Sequence, residues 1–292
     1  MKYSENSLGI AAMLAAVGSF SMMDAVMKTL AGSYPAVQVA ALRGLSAMPL
    51  VCLYVLWRGE VPQLLRVRWP LHLLRGLLGI LMLSLFAFGV RELALTDTYA
   101  IFFIAPLLIT VLAVPFLKEQ VHAAHWLCLV LGLLGVWVAM KPSPGAVLSL
   151  GALAVLAAAV CYAVSAVAGR ILSRTDTSSS LVFWMTLLLG AGSGLLAAPD
   201  WVPLKPADWP LIAALAITGV LGQLTITQAF RHGQAAVVAP LEYTALVWGA
   251  GLDWVFWRTL PSASTLLGAL IIIGCGLYLI RHARNPAVVV PP

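Results

Sequence analysis

Charge is scarce in this 292-residue chain: Asp, Glu, Lys and Arg together make up 10% of it. Soluble domains carry about 25%. Hydrophobic residues make up 62%, and even a soluble domain of about 300 residues buries only about 75% of the surface its unfolded chain exposes. These proportions exclude a water-soluble fold, a disordered chain and a collagen-like one. Cysteine is sparse too. Cys52, Cys128, Cys161 and Cys275 all lie inside apolar runs, with neither zinc-ligand spacing nor a loop position suited to a disulfide. Nucleotide-binding and protease signatures are missing: no P-loop and no His-Glu-x-x-His is present. "GAGSG" at Gly190–Gly194 contains Ser193 but lacks nucleophile-elbow spacing, so its small residues fit close helix contact. No cofactor, no metal and no catalytic group is expected. The formal charge of +6 is scattered between apolar runs without a basic cluster, so no nucleic-acid partner is expected either.

What is present is a series of long apolar runs. A helix needs about 20 mostly apolar residues to cross the hydrocarbon core. That ruler predicts an all-α polytopic membrane protein with ten transmembrane helices. The spans are Leu8–Leu30, Pro35–Trp57, Trp69–Val90, Ala94–Leu117, Ala123–Met140, Val147–Leu172, Leu181–Ala198, Trp209–Phe230, Ala235–Trp257 and Ser262–Ile280. The runs are continuous rather than alternating, which argues against a β-barrel. Lys2 is followed by Glu5, and the first run contains Asp24 and Lys28, so it reads as a span rather than a cleavable signal.

Basic residues are retained on the cytoplasmic side of short loops. Arg58, Arg66, Arg68 and Arg75, with Lys2, Lys118, Arg170, Arg174, Arg231, Arg281 and Arg284, fall on one side. Fewer fall on the other: Lys28, Arg91, Lys141, Lys205 and Arg258. The richer side holds both termini, predicting a multi-pass protein of the cytoplasmic (inner) membrane with both ends cytoplasmic.

The halves repeat. "WPLHLLRGLLG" from Trp69 matches "WPLIAALAITG" from Trp209, which also sets Arg91 on Arg231. Gly9 falls on Gly151, Phe20 on Tyr162 and Lys28 on Arg170. Residues 1–142 form the first repeat and 143–292 the second, with five spans each. An odd number of spans forces the second copy to enter the membrane from the opposite side. The predicted architecture is therefore two inverted five-helix repeats, as in many secondary transporters.

With "SMMDAVMK" in span 1, "YPAVQVAALRG" in span 2, "LTDTYAIFFIAPLLITVLAVPFLKE" through span 4, and "SRTDTSSS" and "AAVVAPLEYTALVWGAGLDWVFW" in the second half, the chain resembles the EamA family of the drug/metabolite transporter superfamily. The Asp–Lys pair with the span-2 Arg is similar to bacterial riboflavin and S-adenosylmethionine uptake carriers. The resemblance implies a central cavity lined mainly by spans 1, 3, 4, 6, 8 and 9, and transport without ATP. One departure is plain. Lys118-Glu119 ends the first copy, whereas the second has Arg258-Thr259, so an acid there has no counterpart in the second half.

A charge near the bilayer centre costs about 2.5–3.5 kcal/mol on insertion scales. Residues that carry this cost are the candidates for solute binding. Asp24, with Lys28 one turn on, forms either a structural pair or a cavity acid. Arg43 cannot be buried neutral; it is expected to meet Asp24, as a static tie or as a clamp for a solute carboxylate. Glu242 follows Pro240, which removes a backbone donor and should loosen the helix. Asp24 and Glu242 are the proton-coupling candidates. Gln223 and Thr227 share one face of span 8, either binding solute or linking helices. Tyr99, Phe102, Phe103, Tyr162 and Tyr243 complete the substrate-binding set, with Pro106, Ser165 and Trp184 as further cavity candidates. Their alternative is plain packing. His72, His122, His125 and His232 are expected at the solvated surface.

The function that follows is secondary active or facilitative transport of a small polar or amphipathic metabolite by alternating access. Amino-acid derivatives, nucleoside-like compounds and flavins fit the mixed charges. The rival readings are an intramembrane enzyme such as a lipid-modifying transferase, and a channel or non-transporting scaffold. The expected partners are a small-molecule substrate and the lipid bilayer; the sequence leaves a homodimer open.

Overall fold

A computed structural model describes residues 5–93, 95–141, 149–258 and 262–284. All regular structure among them is helical. In chain order the helices are α1 (Glu5–Leu30), α2 (Ala36–Arg58), α3 (Trp69–Glu92), α4 (Leu95–Phe102), α5 (Ala105–Leu117) and α6 (Ala123–Met140). The second half follows with α7 (Leu150–Leu172), α8 (Ser178–Ala197), α9 (Trp209–His232), α10 (Ala235–Val238), α11 (Ala245–Trp257) and α12 (Ala263–Arg284). Among the described residues, 9 segments are long and apolar enough to cross a membrane, and a shorter apolar helix covers Ala263–Tyr278. The expected boundary between residues 142 and 143 lies outside the described residues.

The helix ends follow local chemistry. Ser149 caps α7 by accepting from the Ala152 amide at 3.1 Å, and Thr177 caps α8 through the Ser180 amide at 3.2 Å. Trp-Pro opens both α3 and α9, because proline lacks the amide hydrogen that a first-turn residue would leave unbonded. Span 7 starts at Ser178, three residues before the predicted Leu181, since these serines are buried against neighbouring helices rather than lying in a loop. Spans 4 and 9 are not continuous rods. Span 4 breaks between Phe102 and Ala105, beside Pro106. Span 9 passes through a 3-10 segment, Ala239–Thr244, containing Pro240. The second break is the predicted loosening; the first was not foreseen.

The two halves share geometry as well as sequence. α3 and α9 each contain 24 residues, and α5 and α11 each contain 13. Each pair begins and ends at positions 140 apart (69 and 209, 92 and 232; 105 and 245, 117 and 257). Lys118 and Arg258, also 140 apart, both adopt left-handed backbone, with φ of 56° and 55°. These are the residues that follow α5 and α11.

The halves interlock rather than sit side by side. α1 packs along α9 and α3 along α7, while α2 meets α8 and α6 meets α12. Exchanging the halves turns the first pairing into the second and leaves the other two unchanged, as a pseudo-two-fold axis requires. The crossed pairs are antiparallel. Gly9 near the start of α1 meets Gly233 just past α9, and Tyr34 beyond the far end of α1 donates to Asp208, just before α9, at 2.6 Å. Gly151 at the start of α7 meets Glu92 and Leu93, whereas Gly169 near its end meets Arg75 near the start of α3. The repeats are inverted, as predicted.

Small residues set the tightest crossings. A Cβ on Gly44 of α2 would lie 2.4 Å from the Gly190 Cα of α8, so the helices can approach this closely only without side chains. By contrast, a Cβ on Gly274 would meet nothing within 4 Å. Gly44→Ala should therefore destabilise the purified protein by about 1–3 kcal/mol, while Gly274→Ala leaves it unchanged or slightly stabilised. Thermal unfolding in detergent tests this; equal stability of both variants would contradict the close-approach account.

Candidate functional site

Between the crossed helix pairs lies a cavity of about 330 Å³, within the range of small-molecule sites. Its wall comes from α1, α2, α3, α4, α5, α7, α8 and α9, with Glu242 and Ala245 from the broken span 9. Nine of the ten predicted substrate-binding residues line it: Asp24, Arg43, Tyr99, Phe102, Phe103, Tyr162, Gln223, Thr227 and Glu242. Pro106 and Ser165 line it too.

The break in span 9 gives Glu242 its place. As part of the 3-10 segment, it enters the cavity immediately before α11 resumes. The Tyr162 hydroxyl donates to its Oε1 at 3.1 Å. A chain of rings extends from there: Tyr162 to Phe102 at 5.7 Å, Phe102 to Phe86 at 5.2 Å, and Phe86 to Tyr99 at 5.6 Å. Asp24 is solvent-accessible although it lies deep in the bundle; its access is through the cavity. Arg43 lies over the Phe20 ring, 5.4 Å from its centre, a cation–π contact that partly replaces lost hydration. Thr227 is bonded to the Gln223 carbonyl of its own helix at 2.7 Å.

Several expectations need correction. Tyr243 does not line the cavity. One residue along a 3-10 turn rotates the side chain by about 120° from Glu242, and Tyr243 packs instead with Leu129, Val136 and Ile272. Asp24 and Arg43 feel each other's charge, but among the described residues no ion pair joins them, because both face the hollow. Trp184 donates to the Leu64 carbonyl at 2.9 Å, outside the cavity. His72 is not at the surface: it is 2% exposed and its Nε2 lies 2.9 Å from Asp176 Oδ2. Arg75, counted with the loop charges, is 8% exposed and borders the cavity. Its position six residues inside span 3, nearly two helical turns, was the available signal. Met13, Met23, Met82, Met185 and Ser21 also line the wall, and nothing in their spacing distinguishes them from packing residues.

Polar ties lie at both ends of the cavity; those of Gln38, Tyr34 and Glu119 join the two repeats, while those of Arg231 and Arg170 lie within the second. At one end Gln38 donates to the Val202 carbonyl at 2.6 Å and accepts from its amide at 2.8 Å, close to the Tyr34–Asp208 bond. At the other, more basic end, Arg231 donates to the Ser178 hydroxyl at 2.6 Å and to the Asp176 carbonyl at 2.8 Å. Arg170 donates to the Phe230 and Arg231 carbonyls. Glu119, the acid without a counterpart in the second half, accepts from the amides of Ala235 and Ala236 at 2.9 and 3.0 Å. It thereby caps the start of α10 from the opposite repeat.

The comparisons with known proteins agree with this architecture. The EamA-like transporter family model matches the chain twice, over residues 7–141 and 149–281. The chain belongs to that family and is a membrane transporter. It is 31% identical over 269 residues to the pseudopaline exporter CntI of Pseudomonas aeruginosa, covering 91% of this chain and 94% of that protein. It is 26% identical to an S-adenosylmethionine uptake transporter of Rickettsia bellii, covering 96% and 95% of the two chains. With a riboflavin transporter of Vibrio cholerae the identity is 25%, over 89% of each. A solved crystal structure shares the fold with a TM-score of 0.83 at 23% identity, covering 96% of this chain and 98% of the other.

The Glu119 cap generates a stability test. Glu119→Ala leaves two buried amides without their acceptor and should cost about 2 kcal/mol or more. Glu119→Gln retains one acceptor oxygen and should cost less. Thermal unfolding in detergent reads both; an unchanged alanine variant would remove the cap from the account.

Proposed function

We propose that the protein is a secondary carrier of a small polar or amphipathic metabolite. The reading rests on one observation: a cavity bearing Asp24, Arg43 and Glu242 lies between two inverted halves. Inverted halves supply two related conformations, each able to open the same cavity to one side. The ties at the two ends then act as alternating closures. The basic end, with Arg170, Arg174 and Arg231, faces the cytoplasm, and both termini lie on that side of the inner membrane.

The chemistry of the wall suits a solute carrying both signs of charge. Arg43 faces an acidic group, while Asp24 and Glu242 face an amine or carry a proton in its place. The ring chain from Tyr162 to Tyr99 offers flat apolar contact to the rest of the solute. Relatives that include a pseudopaline exporter, S-adenosylmethionine uptake transporters and a riboflavin transporter support a small-metabolite solute. Asp24, Arg43, Tyr99, Phe102, Phe103, Tyr162, Gln223, Thr227 and Glu242 form the proposed binding set.

The test is radiolabelled uptake and counterflow in proteoliposomes, with and without a proton gradient. Saturable counterflow identifies a carrier, and its absence alongside unsaturable flux identifies a channel. Glu242→Gln keeps an acceptor for the Tyr162 hydroxyl but removes the titratable group. It should insert normally, transport at least tenfold more slowly and lose its response to pH. Wild-type kinetics across pH in that variant would remove Glu242 from the mechanism. Arg43→Ala should abolish transport of a carboxylate-bearing solute; full activity would show that its charge is not used.

A further inference from the structure

The internal repeat supplies a control for every charge in the cavity. Two positions related by the pseudo-two-fold axis meet similar surroundings, so the residue in the other half shows what the fold itself requires there. The counterpart of Asp24 is Ala166, that of Arg43 is Met185 and that of Glu242 is Phe102, and all three line the same cavity. The counterpart of Arg75 is Leu215, which is fully buried in an ordinary apolar cluster with Met23, Leu30 and Tyr34. The scaffold is therefore satisfied by leucine at this site. An arginine there brings a desolvation cost that packing does not explain.

Among the described residues Arg75 also lacks a partner. It is 8% exposed, and none of those residues offers its buried Nε and Nη1 a hydrogen-bond acceptor. Nearby acceptors are already engaged. The carboxylate of Asp176 takes His72 Nε2 at 2.9 Å and the Arg68 amide at 3.3 Å on one oxygen, and the Thr175 hydroxyl at 2.8 Å on the other. The guanidinium lies against Gly169, where an added Cβ would sit 3.2 Å from its Cζ. Glycine at this point of α7 leaves the room that the side chain occupies at the cavity wall.

Its depth differs from that of the other cation. Arg43 interacts electrostatically with Asp24 and Tyr162. Arg75 lies seven residues further along α7, at Gly169, which at 1.5 Å per residue is on the order of 10 Å nearer the basic end. We propose that Arg75 is a second anion anchor, and that the transported solute carries two acidic groups, carboxylates or phosphates, spaced to reach both Arg43 and Arg75. Asp24 and Glu242 then face its amine. The proposal rests on the carrier reading of the cavity and narrows it to a solute class. It also gives the Arg75 guanidinium an acceptor, which none of the described residues supplies to its Nε and Nη1.

Thermal unfolding of the full chain purified in detergent tests this with three probes: the long diacid suberate, the short diacid succinate and the monoacid octanoate. A bound probe raises Tm. In the wild type, suberate should raise Tm more than either of the others. In Arg75→Leu, which imitates Leu215, that advantage should vanish while the octanoate shift persists. The free variant should be at least as stable as wild type. An unchanged suberate advantage in the variant, or no advantage in the wild type, overturns the proposal. Should the leucine variant fail to fold, Arg75→Lys must keep the advantage and Arg75→Gln must lose it; any other pattern overturns the proposal. Counterflow in proteoliposomes separates the two claims. Suberate preference without counterflow contradicts the carrier reading alone, and counterflow without suberate preference contradicts the anchor alone.

Discussion

Antiparallel pairing of α1 with α9 and of α3 with α7 is the constraint on which everything else depends. These crossings bury apolar residues of the two halves in shared clusters, such as Ile10 and Met13 of α1 with Ala229 and Phe230 of α9, and leave the space between them hollow. Backbone groups in hydrocarbon must be satisfied inside the protein, so the broken spans 4 and 9 can exist only where protein surrounds them. The crossings provide that enclosure. Pro106 and Pro240 can then interrupt their helices at the cavity wall, and Glu242 reaches the cavity from the second interruption. Close approaches such as Gly44 to Gly190 hold the enclosure together where side chains would wedge it apart.

Onto this nearly symmetric frame the sequence sets an asymmetric set of charges. Phe20 and Tyr162 are counterparts, and both line the cavity, yet only Tyr162 has a hydroxyl to offer Glu242. Asp24, Arg43, Arg75 and Glu242 face alanine, methionine, leucine and phenylalanine at the matching positions. The symmetry serves the conformational change, because related halves can exchange shapes at small energetic cost. In the proposed carrier the asymmetry serves recognition, because a small solute has no reason to share the two-fold axis. Glu119 shows the same division at the closure: it caps α10, while the matching position is Thr259.

Much of this was legible in the sequence because the bilayer makes hydropathy informative. Ten apolar runs, the repeat around Trp69 and Trp209, and the inverted orientation all follow from run length and parity. The cavity residues were legible where a charge or amide interrupted an apolar run, as at Asp24, Arg43, Gln223 and Glu242. Arg75 was not, since counting basic residues by proximity to a loop cannot tell a side chain that faces water from one that turns inward. Tyr243 failed for a different reason. By residue type it joined the other aromatics of the site, but a 3-10 turn points Tyr243 and Glu242 in different directions. The break in span 4 carried the same signal as the break in span 9, a proline in mid-span at Pro106, but Pro49 and Pro115 lie inside unbroken helices, so a proline alone does not mark a break. The missing Asp24–Arg43 ion pair reflects the hollow itself: helices held apart by a cavity do not bring opposed charges into contact.

Alternating access requires the two ends of the cavity to open in turn. Paired spin labels at Ser33 and Lys205 report on the end carrying the Tyr34–Asp208 bond, and labels at Gln120 and Gln234 report on the end closed by Glu119. Distance distributions measured in liposomes, with and without a proton gradient and transported solute, test it directly. Under alternating access one distance lengthens as the other shortens. Two distances that stay fixed, or that lengthen together as in a channel, would contradict it.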